Sequence, residues 1–264
     1  MTQQTATRDV RSPDHHVWLE PSPKLVRVLA GGQTIVDTKR ALLVRETGHT
    51  PVYYFPMDDT RMEFFERTDY GTHCAYKGDA IYWTLKVGDK VEENAVWSYP
   101  EQLDDEAPDL RGYVAFYWNK FDAWYEENEQ IYVHARDPYK RIDVLPSTRH
   151  VTIAIDGETV ADTSTPTLLF ETGMPVRYYI PMLDVRQDVL VPTDKVTRCP
   201  YKGQAGYFSV GSGDALLEDV AWYYRYPIPE ATGIAGMVCF FNERVDLTVD
   251  GELQERPQTK WSQR

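Results

Sequence analysis

The sequence predicts a mainly β protein of two similar domains, each a strongly curved antiparallel sheet or incomplete barrel with little helix. Three observations carry that expectation. The 264 residues exceed one ordinary domain and suit two of about 130 each. The chain repeats itself, so that at an offset of 125 positions residues 14–98 align with 139–223 without a gap. Within each copy, apolar residues alternate over short runs bounded by glycine and proline, which is the pattern of strands.

The repeat is dense in residues that fix a chain path. Pro21–Ser22 pairs with Pro146–Ser147, Asp37–Thr38 with Asp162–Thr163, and Glu46–Thr47–Gly48 with Glu171–Thr172–Gly173. Tyr53–Tyr54 pairs with Tyr178–Tyr179, Thr72-x-Cys74-x-Tyr76–Lys77–Gly78 with Thr197-x-Cys199-x-Tyr201–Lys202–Gly203, and Trp97 with Trp222. After a small length change Gly112 pairs with Gly236, Phe116 with Phe240 and Asp122 with Asp246. A unit this long exceeds a solenoid repeat, so each copy is expected to be a domain with its own core. The expected boundaries are residues 14–138 and 139–253, with 1–13 and 254–264 as flexible termini. Ile142–Pro146 lies inside the repeat and is apolar, which predicts a packed arm and a monomer of two packed domains.

In chain order, Val26–Ala30 and Thr34–Val36 flank Gly31–Gly32, a hairpin signature matched by Asp156–Gly157 in the second copy. Ala41–Val44 and Thr167–Phe170 are apolar runs followed by Thr-Gly. Val52–Phe55 and Arg177–Ile180 are aromatic strands stopped by proline, which cannot donate to a central ladder. Further strands are expected at 61–66, 80–86, 94–99, 113–117 and 120–125, with neighbours or equivalents at 129–133 and 207–210. Pro108–Arg111 and Pro229–Ala231 are the places where single helical turns are expected.

Composition narrows the partners. Apolar residues at 42% and aromatics at 13% supply two cores and exclude bulk disorder. Forty-one acidic against 28 basic side chains give a net charge of -13, a field that repels nucleic acid and anionic membrane surfaces, so neither is expected as a partner. No apolar leader and no long apolar run is found, and Cys74, Cys199 and Cys239 form no CxxC pair, so a cytoplasmic protein without a disulfide scaffold is expected.

The strings Pro51–Val52–Tyr53–Tyr54–Phe55–Pro56, Thr72–His73–Cys74–Ala75–Tyr76–Lys77–Gly78 and Glu93–Asn94–Ala95–Val96–Trp97–Ser98–Tyr99–Pro100 resemble domain of unknown function family 427. Gly112–Trp118 and His134–Arg141 continue the likeness, which spans residues 14–253 and is that of the tandem, bacterial-type form. The resemblance implies a compact all-β unit similar to the Mss4-like group of coiled sheets, and no settled activity. The family is sometimes labelled nucleotidyltransferase, which would call for metal-binding carboxylates beside a glycine-rich phosphate cradle. The nearest phrase, Gly211–Ser212–Gly213–Asp214, aligns with Lys86–Val87–Gly88–Asp89 and is better read as a turn. The paired CxxC zinc site of some Mss4-like proteins has no counterpart here.

The duplicated Thr-x-Cys-x-Tyr-Lys-Gly phrase is the leading candidate for chemistry. Tyr76 and Lys77 are candidate catalytic residues with Glu46, the lysine stabilising negative charge on a carbonyl-like oxygen and the carboxylate taking a proton or hydroxyl. In a fully extended strand the lysine points away from Tyr76, so convergence requires the turn at Gly78. Arg45, Tyr53, His73 and Trp97 are candidate ligand contacts in the first copy, and Glu171, Tyr201 and Lys202 in the second. The structural alternative for the same residues is a small core cysteine, a half-buried tyrosine anchor and a solvated lysine. The histidines lack a duplicated metal-binding spacing, and neither metal nor cofactor is expected. Three function classes remain open: binding of a small polar or anionic metabolite, an enzyme using the Tyr-Lys-Glu site of the first domain for proton transfer or acyl or carbonyl chemistry, and a protein-interaction or structural module.

Overall fold

A computed structural model describes residues 12–211 and 216–262. Most of the Gly211–Asp214 phrase therefore lies outside the described residues. The chain divides into two compact units, the first ending at Asp137 and the second beginning at Pro138.

In the first unit the strands are β1 (Val17–Pro21), β2 (Val26–Ala30), β3 (Gln33–Thr38), β4 (Leu42–Glu46), β5 (Val52–Pro56), β6 (Phe65–Cys74), β7 (Gly78–Val87), β8 (Lys90–Ser98), β9 (Tyr113–Phe116), β10 (Ala123–Glu126) and β11 (Glu129–Ile131). They form a seven-stranded sheet in the order β1-β4-β5-β9-β8-β7-β6 and a four-stranded sheet in the order β11-β10-β2-β3. The second unit repeats the plan with β12 (Ile142–Pro146), β13 (Val151–Ile155), β14 (Glu158–Thr163), β15 (Thr167–Glu171), β16 (Arg177–Ile180), β17 (Leu190–Cys199), β18 (Gly203–Val210), β19 (Leu217–Pro227), β20 (Val238–Phe240), β21 (Asp246–Val249) and β22 (Glu252–Leu253). Its sheets run β12-β15-β16-β20-β19-β18-β17 and β14-β13-β21-β22, the same neighbours strand for strand.

These orders correct the expected shape. Each unit is built from two open sheets, and the ends of the larger one, β1 and β6 or β12 and β17, do not pair with each other. A single strongly curved sheet or incomplete barrel of Mss4-like type is therefore not what the sequence folds into. Strands that alternate need their apolar face covered, and a second sheet does this without closing the first. The strand expected at 61–66 is also corrected: Met62–Phe64 is a single 3-10 turn that leads into β6. Of the two expected helical turns, Pro229–Ile234 forms and residues 108–111 remain irregular.

The two-residue hairpin loops follow from backbone freedom. Gly31 and Gly32 hold φ of 55° and 72°, and Asp156 and Gly157 hold 50° and 83°, the paired positive values that a tight turn matched to strand twist requires. A Cβ on Gly31 would stand 2.7 Å from Val87, so no other residue fits there.

Alternation then separates two apolar layers. Val26, Val28, Ile35, Tyr53, Phe55, Leu85, Val114, Phe116 and Trp124 fill the space between the first unit's sheets. Val44, Tyr54, Ala80, Tyr82 and Ala115 point to the opposite, outer face of the seven-stranded sheet, with Tyr99 and Leu110 from the following loop. The second unit has the same outer layer around Leu169, Tyr179, Tyr207, Trp222 and Tyr224. All three cysteines are free thiols. Among the described residues no helix is long and apolar enough to cross a membrane.

Candidate functional site

The duplicated Glu-Thr-Gly phrase ends β4 and β15, and each of its residues has one task. Leu42 and Val44 put their side chains on the outer face, so Glu46, two residues on, lies on that face too. Thr47 Oγ1 accepts the backbone N–H of His16 at 3.0 Å, and Thr172 Oγ1 accepts that of Arg141 at 3.0 Å, clipping the lead-in strand to the sheet. Gly48 and Gly173, at φ of 76° and 74°, turn the chain so that the N–H of the next residue returns to the glutamate carbonyl at 3.0 Å.

The lysine arrives from the other side of the sheet. Between β6 and β7 the chain turns at Ala75–Lys77, where the Lys77 N–H bonds the Cys74 carbonyl at 3.3 Å and Gly78 takes φ of 95°. β4 and β7 are four places apart in the sheet, about 19 Å at ordinary strand spacing. Sheet twist, sharpened by the irregularities between Arg67 and Gly71 and between Trp83 and Leu85, brings that turn over the outer face. The result is that Lys77 Nζ donates to Glu46 Oε2, with both side chains largely buried.

His15 completes the cluster. It lies two residues before Val17, the partner of Glu46 in the β1–β4 ladder, so its ring falls on the same face. His15 Nε2 is 3.0 Å from Glu46 Oε1. A carboxylate only accepts, so Nε2 carries the proton of this bond, and in a neutral ring Nδ1 is then the basic nitrogen. The Tyr76 ring stacks on His15 at 3.8 Å, nearly parallel at 16°, and its hydroxyl accepts the Ser12 N–H at 3.0 Å. The exposed ring of His49 stands 6.4 Å from that of His15. Burial pushes the Glu46 carboxyl up, but the bonds from Lys77 and His15 outweigh it, so the group is held ionised below its ordinary range.

The second unit rebuilds this arrangement with one change. Lys202 Nζ donates to Glu171 Oε2, and Lys140, the counterpart of His15, sits 3.1 Å from Glu171 Oε1. Its ammonium lies 5.3 Å from the Tyr201 ring centroid, in place of the imidazole stack. Burial again raises the carboxyl and the two ammonium groups again overcome it.

Of the sequence candidates, the structure brings Tyr76, Lys77 and Glu46 together, and likewise Tyr201, Lys202 and Glu171. The others lie elsewhere. Arg45 faces the opposite side of β4 from Glu46, bonded to Glu20 at 2.5 Å and 4.9 Å from the Trp18 ring. Tyr53 points between the sheets, where its hydroxyl donates to Glu126 at 2.9 Å, and burial first, then that carboxylate, raise the phenol strongly. Trp97 shares the outer face but donates to the Tyr54 hydroxyl at 3.0 Å and packs on Tyr117. His73 is an exposed partner of Asp79 at 2.6 Å.

Two features were not among the candidates read from the sequence. His15 carried a signal, since the offset that pairs Glu46 with Glu171 pairs it with another nitrogen-bearing side chain, Lys140. Arg177 and Glu243 carried none. The repeat sets Val52 and Asn119 against them, yet in the second unit they form a buried two-pronged pair with both bonds at 2.7 Å. Rings of Trp222, Phe241 and Trp261 surround the guanidinium at 5.5 to 5.9 Å, and Thr259 donates to Glu243 at 2.7 Å.

No curated protein matches the chain significantly. Residues 18–127 and 143–251, which hold both seven-stranded sheets but for the first residue of β1 and of β12, and three of the four strands of each smaller sheet, each match the family described as domain of unknown function (DUF427). Both copies of the carboxylate cluster fall on those segments apart from the lead-in residues His15 and Lys140, and the chain belongs to that family as a tandem of two of its domains.

Proposed function

We propose that the outer face of the first unit binds a small polar or anionic metabolite at the cluster of His15, Glu46, Tyr76 and Lys77. The observation that carries this reading is the convergence of the β6–β7 turn on the end of β4, which gathers an imidazole, a phenol, an ammonium and a carboxylate from distant parts of the chain. Lys77 and Glu46 form a neutral, largely buried floor. His15, Tyr76 and His49 form its solvent-facing rim, where N–H and O–H groups are available to a ligand carboxylate, phosphate or carbonyl oxygen.

A second reading is favoured by a specific detail. Glu46 orients His15 through Nε2 and leaves Nδ1 to exchange a proton, the arrangement by which a carboxylate positions a histidine general base. The second unit has a lysine there, so proton-transfer chemistry on this plan would belong to the first unit alone.

A panel of small carboxylates, phosphates and amides, screened by thermal shift and then calorimetry, tests the site. Wild type is expected to be stabilised by at least one compound, with affinity reduced about tenfold in His15→Ala for the loss of one charge-assisted bond. Stabilisation by no compound, or equal stabilisation of wild type, His15→Ala and Tyr76→Phe, would remove the site from consideration.

A further inference from the structure

We propose that the outer face of the first unit docks a basic segment of a partner polypeptide, which lays two cationic side chains on a bare aromatic strip of Trp97, Tyr117, Tyr82 and Tyr70. None of these four residues belongs to the Glu46 cluster.

The two units build the same strip. Trp97 and Tyr117 have ring centroids 4.8 Å apart at 46°, and Trp222 and Phe241 have theirs 4.5 Å apart at 50°. Each indole N–H donates to a tyrosine hydroxyl, of Tyr54 or Tyr179. Tyr82 and Tyr207 are the direct cross-strand partners of the two tryptophans. Each shares a hydrogen bond with the threonine of the duplicated phrase, Thr72 at 2.9 Å and Thr197 at 2.8 Å.

What lies on the rings differs. In the second unit the chain supplies both cations itself. Arg177 stands 5.5 and 5.9 Å from the Trp222 and Phe241 rings, held by Glu243, and Lys195 stands 4.5 Å from the Tyr207 ring, held by Asp219 at 3.1 Å. Trp261 then packs on Phe241 at 6.2 Å, and Trp222 is left only 7% exposed. At the matching positions the first unit has Val52 and Tyr70 in place of the cations, and Asn119 and Asn94 in place of their carboxylates. Tyr117 is 42% exposed there, and Tyr70, packed on Tyr82 at 4.8 Å, is 51% exposed. Lys120 stands at the margin, 5.7 Å from the Tyr117 ring and tied to the Glu93 carbonyl.

The second unit thus shows what these faces take, since the electron-rich faces of indole and phenol attract a cation. Charge points the same way. Residues 12–137 carry 23 acidic and 13 basic side chains, a net charge of -10, whereas residues 138–264 carry 17 and 13. The two bare places lie on the neighbouring strands β7 and β8, whose spacing is about 5 Å. Two side chains carried by one extended segment can fill both, whereas a single small cation fills one.

The probe is a short acetylated and amidated peptide of glycine and serine with two arginines at alternate positions, titrated calorimetrically into the full-length protein. Its affinity is expected to exceed by about tenfold or more that of the citrulline peptide, which keeps the shape and loses the charge, and that of methylguanidine, and to fall as salt is raised. Tyr70→Lys, which installs the cation that the second unit accommodates, and Tyr117→Ala are each expected to weaken binding about fivefold or more. Tyr117→Phe keeps the ring and is expected to hold affinity within about twofold. Tyr70 is exposed, so Tyr70→Lys is expected to melt as wild type does and to report on docking alone. No binding of the arginine peptide, equal binding of the citrulline peptide, or an affinity that neither Tyr70→Lys nor Tyr117→Ala moves would overturn the proposal. Methylguanidine binding as tightly as the peptide would overturn the assignment of the strip to a polypeptide.

Discussion

In the first unit Glu46 is held between Lys77 and His15, while in the second Glu171 is held between Lys202 and Lys140. The clip around each glutamate is otherwise the same: a threonine that ties down the lead-in, a glycine at positive φ and a turn that carries tyrosine and lysine across the sheet. The scaffold has thus been kept and an imidazole exchanged for a lysine ammonium. A second contrast lies deeper in the outer layer, where the second unit buries an Arg177–Glu243 pair under Trp261 and the first has Val52 in place of the arginine. The comparison teaches that these folds tolerate a charge exchange at the rim without altering the floor beneath it.

The largest expected effect breaks the second contrast. Arg177→Ala leaves the Glu243 carboxylate buried without its guanidinium and is expected to cost about 3–5 kcal/mol in denaturant unfolding. Val52→Ala at the matching place is expected to cost about 1 kcal/mol, because only half-buried apolar area is lost. Near-equal losses would deny that the second unit depends on the pair.

Removing the floor lysines sharpens the first contrast. Lys77→Met is expected to cost about 2–3 kcal/mol and Lys202→Met about 1 kcal/mol, since Glu171 keeps the Lys140 ammonium whereas Glu46 keeps only an imidazole. Urea unfolding of the two variants at one pH checks this, and equal losses would contradict it.

Acid is expected to loosen both units in the same direction. Burial raises the carboxyls of Glu46 and Glu171, but their cationic partners bring both below the ordinary value of 4.5. A carboxyl whose folded value lies below its unfolded one contributes stability that is fully present above the unfolded value and is lost as pH falls through the folded one. Stability measured downward from about pH 5 should therefore fall, and less steeply in Glu46→Gln and Glu171→Gln. The smallest effect is shared: Tyr54→Phe and Tyr179→Phe each remove one bond from an indole N–H, at 3.0 and 3.2 Å, and are expected to cost about 1 kcal/mol apiece.

Much of this was legible in the sequence because local rules are strong where the repeat is strong. The hairpins at Gly31–Gly32 and Asp156–Gly157, the proline-stopped strands and the tandem itself follow from turn chemistry and the offset. The split of each unit into two sheets was not legible, because alternation shows which side chains share a face and not which strands neighbour one another. The same limit explains the candidate sites. Arg45 and Tyr53 are adjacent to Glu46 and Tyr54 in sequence, and strand alternation puts them on the far face. Tyr76 and Lys77 join Glu46 only because a turn interrupts the strand, the condition that the glycine at 78 allows. The Arg177–Glu243 pair has no counterpart in the first copy, where Val52 and Asn119 stand, and so left no pattern to read.

The central claim is that the first unit's cluster is a binding site, and chemical-shift mapping on the full-length protein tests it most directly. Amide and imidazole resonances are followed while pools of small anionic and polar metabolites are added. The account predicts shifts concentrated at residues 14–16, 46–49 and 74–78, with the His15 ring among the largest. Shifts centred elsewhere on the chain, or none at saturating pool concentrations, would contradict it.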